Sequence, residues 1–229
     1  MLPRNARLYV ALVIASGLAV LLFAASSWST VNAKQFAIFL GLAALASTLK
    51  IRIPGIESTV TPNFVFLLLA VNVCRFSEVV AMAAVSAIIQ CVWRSAKRPR
   101  LVQVAFSAAT LVLSVAAAYQ LSHLLLAQNS WDSSIGTLLL AGSIYFPLNA
   151  ALVAVVLGLI SGQSFRQIVV RSESLVSPYF MCGIIFAALA TSGYNASWKA
   201  AVILIPAITL AHLYFQNRSA RLLTVKTTS

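Results

Sequence analysis

Residues 94–126 read RSAKRPRLVQVAFSAATLVLSVAAAYQLSHLLL, and this stretch decides the class of fold. Arg94, Lys97, Arg98 and Arg100 crowd its first seven positions, and the 26 residues after them carry no Lys, Arg, Asp or Glu. About 20 apolar residues wound as a helix cross a hydrocarbon core of roughly 30 Å. The stretch is therefore a basic loop feeding a membrane span. Unpaired backbone amides are costly in lipid, so only helices and closed barrels cross it. A barrel needs alternating strands of about 10 residues, a pattern this chain does not show.

The same alternation of apolar run and polar gap continues through all 229 residues, of which 61% are hydrophobic and 9% charged. A soluble domain carries about 25% charge. Apolar runs fall at 8–27, 33–49, 61–74, 78–93, 101–126, 135–160, 175–192 and 198–215. The expectation is one domain over 1–229: an all-α polytopic integral membrane bundle of about eight transmembrane helices, six to eight in range. Run 61–74 is short, and reads either as a tilted helix or as one arm of a re-entrant hairpin with its tip at 75–77. Run 8–27 follows Arg4 and Arg7 in the manner of a signal peptide. It is longer than the usual 7–15 apolar residues of such peptides and is read as a retained span. Between runs six and seven, Phe165, Ile168 and Val169 alternate with Arg166, Gln167 and Arg171, the pattern of a helix lying on the membrane surface.

Charge gives the expected orientation. Of the 16 Lys and Arg, thirteen lie at the N-terminus, in the gaps 50–60, 94–100 and 161–174, and in the basic tail 216–229. The alternate gaps hold only Lys34, Arg75 and Lys199. The positive-inside rule then places both termini in the cytoplasm and the protein in the cell inner membrane. The net charge of +12 follows from insertion topology and anionic headgroups, and no nucleic-acid partner is expected. The lipid bilayer is the primary partner. Small residues such as Gly183 and Ala187 also permit close contact between copies in a homo-oligomer.

Catalysis finds little footing. The acidic residues are Glu57, Glu78, Asp132 and Glu173, and the histidines are His123 and His212. They form no metal-ligand spacing, and GxSxG, HExxH and Walker motifs are absent. Cys74, Cys91 and Cys182 are far apart in apolar runs and read as small hydrophobes. No enzyme activity, metal or cofactor is expected. Ion-coupled transport usually uses a carboxylate buried within a span, and none of the four falls near a run's centre.

Candidate ligand residues cluster around the loop 50–63, KIRIPGIESTVTPN. Pro54-Gly55 is a turn dipeptide, and Pro62 favours a helix starting there with Ser58, Thr59 or Thr61 available to cap it. The segment reads either as a turn and cap, or as a polar re-entrant segment with Glu57, Thr61 and Asn63 lining a ligand cavity. Exposed amides at such a helix start also suit an anion. Arg75 and Glu78 are spaced to pair on one helix face, as a local ion pair capping a hairpin or as an anchor for a charged ligand. Ser107, Thr110 and Ser114 share a face, where interhelical hydrogen bonds are expected; Tyr119 and His123 are neighbours further along. Tyr145, Pro147 and Asn149 surround an expected kink in run six, and Tyr179 opens run seven.

Several segments in order resemble a bacterial multi-span membrane sensor domain: LASTLKIRIPGIESTVTPNFVFLLLAV, SEVVAMAAVSAIIQCVWRSAKRPRLVQVAFSAATLVLSVAAAY, IYFPLNAALVAVVLGLISGQSFRQIVVR, SPYFMCGIIFAAL and ILIPAITLAHLYFQNRSARL. The resemblance covers roughly 36–222. Such domains precede HD-GYP phosphodiesterase or GGDEF cyclase output domains. Here the run His212-Leu213-Tyr214-Phe215 to Arg221 matches their exit, and no output domain follows before Ser229. The resemblance therefore implies a stand-alone sensor-like or scaffold module working with a separate cytoplasmic signalling protein, and carries over no output activity. The alternative is the substrate-binding subunit of a vitamin-type uptake transporter with a separate transporter partner.

Overall fold

The structure, a computed structural model, describes residues 3–30, 32–52, 59–95, 98–129, 134–164, 168, 180–185 and 187–188. Among the described residues six helices follow one another: α1 (Arg4–Ser26), α2 (Ala33–Thr48), α3 (Asn63–Val73), α4 (Phe76–Val92), α5 (Leu101–Asn129) and α6 (Ser134–Ser161). Residues 180–185 and 187–188 are helical as well. Among the described residues, α1, α5 and α6 are long and apolar enough to cross a membrane, while α2, α3 and α4 are shorter apolar helices. The six correspond closely to the first six expected runs. Runs seven and eight, the surface helix expected at 163–174 and the basic tail lie largely or wholly outside the described residues.

Each helix starts and stops for local reasons. Asn32 caps α2, its Oδ1 accepting the Gln35 amide at 3.1 Å, which satisfies a donor that has no intrahelical partner. The Arg100 amide donates to Gln103 Oε1 at 2.9 Å at the head of α5, just after the basic loop. Between α2 and α3 the chain is not helical. Strands β1 (Ile51–Arg52) and β2 (Thr59–Val60) pair antiparallel, Ile51 opposite Val60 and Arg52 opposite Thr59. That ladder closes the loop around the expected Pro54-Gly55 turn, which itself lies outside the described residues.

The helices pack directly on one another. In α1 the buried positions are Ala6, Val10, Val13, Gly17 and Ala24, whereas Leu8, Leu12, Leu18, Leu22 and Phe23 are exposed. Small residues inward and large ones outward is the arrangement of a helix whose outer face meets lipid and whose inner face approaches another backbone. Gly17 sits against Ala109 of α5 so closely that a Cβ would lie 2.6 Å from the alanine Cβ. Helix α5 is the hub, packing on α1, α4 and α6. The Tyr9 hydroxyl donates to the Leu152 carbonyl at 3.0 Å and ties α1 to α6.

Helix α3 is the outlier. Its 11 residues extend about 16 Å at 1.5 Å per residue, about half the roughly 30 Å hydrocarbon core. Run 61–74 therefore does not form a full-length crossing helix. Every residue from Asn63 to Val71 is buried, with α2, α4 and α6 packed around it. The chain turns at Cys74 and Arg75 into α4, so α3 and α4 form a helical hairpin whose first arm stops inside the bundle.

Candidate functional site

Two polar centres stand out against this apolar background. The first is at the α3–α4 turn. Glu78 is 2% exposed, and its Oε2 accepts the Arg75 backbone amide at 2.8 Å, capping α4 as a carboxylate at the third helical position does. The expected side-chain pair between Arg75 and Glu78 is corrected here: the contact runs through the Arg75 backbone. The guanidinium Nη1 donates instead to Ser29 Oγ at 2.7 Å, because Arg75 lies outside the helix and points to the connection between α1 and α2. Ser77 Oγ reaches the Ser29 carbonyl at 3.5 Å, and Asn72 Nδ2 donates to the Ser134 carbonyl at 3.0 Å. These bonds tie the α3–α4 turn to α1, α2 and α6 at one end of the bundle.

Tyr119 belongs to the same centre. Its ring meets Phe76 edge-on at 5.5 Å and stacks on His123 at 4.3 Å, and it lies within electrostatic reach of Cys74, Arg75 and Glu78. His123 is exposed, with Nδ1 2.8 Å from the Tyr119 carbonyl. Four of the candidate residues, Arg75, Glu78, Tyr119 and His123, thus gather at one end of the bundle. The remaining oxygen of Glu78, Oε1, is buried without a hydrogen-bond partner.

The second centre is at the start of α3. Pro62 occupies the cap position and supplies no side-chain cap. The capping role expected of Thr61 is not fulfilled: its hydroxyl donates to Asn63 Oδ1 at 2.8 Å instead of accepting a first-turn amide. Both residues are buried, Asn63 to 3% exposure. The Asn63 Nδ2 has no partner. Whichever way the carboxamide is turned, one polar end is unmet, a condition that costs roughly 1–3 kcal/mol. Next in the chain, the Phe64 ring lies 4.1 Å from Phe180, which also sits 4.5 Å from Phe146 and 6.2 Å from Tyr145. Gly183 makes this approach feasible, since a Cβ there would fall 2.7 Å from Phe64 Cε2.

Thr61 and Asn63 thus bond to each other, and the next residue, Phe64, shares its ring partner Phe180 with Tyr145. Asn149 is half-buried one turn beyond Tyr145, on the same side of α6. Glu57 and Tyr179 lie outside the described residues. The hydroxyl face of α5 packs inward as expected but bonds to its own helix. Thr110 Oγ1 donates to the Ser107 carbonyl at 3.0 Å and Ser114 Oγ to the Thr110 carbonyl at 2.8 Å, replacing the expected interhelical bonds.

One residue escaped the sequence reading. Ser86 is fully buried in α4 with its Oγ unpartnered. A signal was present: Asn63 stands ten residues before the end of α3 and Ser86 ten after the start of α4. Both therefore lie about 15 Å along their helices from the shared turn. Comparison with protein families, characterised proteins and solved structures found no match.

Proposed function

We propose that this chain is a multi-pass inner-membrane module, sensor-like in plan, that holds a small molecule within its helical bundle and relays occupancy to a separate cytoplasmic protein. In this reading about eight spans cross the membrane and both termini are cytoplasmic. The observation that carries it is α3. A half-length helix that is buried along its length, uncapped at its start and accompanied by an unmet carboxamide is expensive inside an apolar bundle. Non-helical backbone at membrane depth is tolerated where it is enclosed by protein or lines a cavity, and such interruptions commonly mark binding sites. The ordered resemblance to membrane sensor domains and the thirteen basic residues on one set of gaps support the relay direction.

The test is native mass spectrometry of the protein extracted gently from its own membranes. The expected result is one small molecule bound in a 1:1 ratio, together with a signalling protein. A small molecule together with an energising ATPase would replace the sensor with the uptake-subunit reading. Lipid alone would overturn both.

A further inference from the structure

We propose that the corner where α4 ends and α5 begins is a site for an anionic phospholipid carrying two phosphodiesters, with its phosphates on Arg94, Arg98 and Arg100 and its acyl chains along Val92, Leu101 and Val102. The site stands apart from the enclosed α3 and goes beyond the reading above. The packing shows which cations share this end of the bundle. Phe76 at the start of α4 meets Phe23 late in α1 at 6.1 Å and Tyr119 late in α5 at 5.5 Å. The end of α4 therefore lies with the starts of α1 and α5, where the rings of Tyr9 and Phe106 are 6.3 Å apart. Lys50, just past α2, donates from Nζ to the carbonyl of Trp93, just past α4. Nine Lys and Arg are among the described residues; Lys34 and Arg75 are at the far end, and the other seven are here. Glu78, the acidic residue among the described ones, is also at the far end.

Insertion topology is served by Lys and Arg alike, so it accounts for the sign of this end but not for the side chains at this corner. Arg94, Arg98 and Arg100 are all exposed, and a planar guanidinium grips phosphate oxygens two at a time. The positive end of the α5 dipole lies at the same corner. Beside the cations the surface is apolar: Val92, Trp93 and Val102 are exposed, and Leu101 is 87% exposed. An acidic protein segment would match the charge and leave this apolar border bare. A phospholipid covers both, and Trp is favoured at that depth. Three guanidiniums and the Lys50 ammonium outnumber a single phosphodiester, which favours a headgroup with two.

The experiment uses the full chain in detergent micelles doped with cardiolipin, phosphatidylglycerol or phosphatidylcholine. Trypsin cleavage of the wild type at Arg94–Ser95 is expected to slow about tenfold with cardiolipin, less with phosphatidylglycerol and not at all with phosphatidylcholine. Native mass spectrometry then compares lipid retention in variants. Arg98→Gln with Arg100→Gln should weaken cardiolipin retention about tenfold, whereas Arg4→Gln with Arg7→Gln, which removes the same charge from the same end, should change it less than about twofold. Equal loss in the two double variants would mean bulk charge without a site and would overturn the assignment. So would equal retention of cardiolipin and phosphatidylcholine, or unchanged cleavage at Arg94–Ser95. Inorganic phosphate or poly-glutamate protecting that bond as well as cardiolipin does would overturn it in favour of a free anion or an acidic protein segment. The cleavage assay needs no variant, so a double variant that fails to fold still leaves the assignment open to refutation. The small-molecule reading is decided separately, by a 1:1 species other than lipid.

Discussion

A methyl group added at Gly17 probes a close helix contact in the bundle. The new Cβ would lie 2.6 Å from Ala109 Cβ and 2.7 Å from Ala109 Cα, whereas ordinary contacts fall at 3.4–4 Å. The nearer obstacles are backbone and a side chain with no rotamer to change, so α1 and α5 must part by roughly 1 Å, loosening the contacts of buried Val10 and Val13 on the same face. Overpacking of this kind costs about 1–3 kcal/mol, against about 1 kcal/mol that alanine gains over glycine in a helix. Gly17→Ala is therefore expected to lose about 1 kcal/mol net. Gly41→Ala is the matched control: nothing lies within 4 Å of its Cβ, and the propensity gain of up to about 1 kcal/mol stands alone. At about 2–4 °C per kcal/mol for a chain of this size, the two variants should separate by several degrees in opposite directions. A thiol-reactive dye reports unfolding through Cys74, which is buried, and through the half-buried Cys91 and Cys182. Gly17→Ala melting at or above the wild type, or both variants shifting together, would refute the close-packing argument.

Tyr9→Phe removes the single bond from the α1 hydroxyl to the Leu152 carbonyl and should cost about 1 kcal/mol in the same dye assay. Ser86→Ala deletes an unpartnered buried hydroxyl and should be neutral or stabilising, in contrast to Ser114→Ala, which removes a hydroxyl bonded to the Thr110 carbonyl. Glu78→Ala strips the cap from α4 and should lose about 0.5–2 kcal/mol, while Glu78→Gln, which retains the acceptor for the Arg75 amide, should lose little; circular dichroism melts compare the two.

Hydropathy located helices well because lipid-facing runs need no partner to be recognised. The run at 101–126 became α5 at Leu101–Asn129, and the run at 135–160 became α6 at Ser134–Ser161. The short run at 61–74 was flagged by length alone. Its burial on every side was not legible, because a helix surrounded by other helices and one surrounded by lipid carry the same apolar residues. Candidate polar residues were found by type, and Arg75, Glu78, Tyr119 and His123 do converge. Their partners were not legible, since spacing suggests which side chains can meet but not whether a backbone amide competes better, as at Glu78. Ser86 was missed because one serine in an apolar helix is ordinarily satisfied by the carbonyl one turn back, as Ser47 is by Ala43 at 2.7 Å.

The 29 residues of α5 extend about 43 Å, well beyond a hydrocarbon layer of roughly 30 Å. A helix that long must lean or project its ends into the headgroups, and the lean changes with bilayer thickness. Because α5 is packed on α1, α4 and α6 together, it cannot lean alone. Lipids with longer acyl chains would draw it upright and shear its neighbours past one another, carrying α4 and with it the enclosed α3. In a bilayer, acyl-chain length would thus bear on this bundle mechanically, from the longest of the six helices to the shortest.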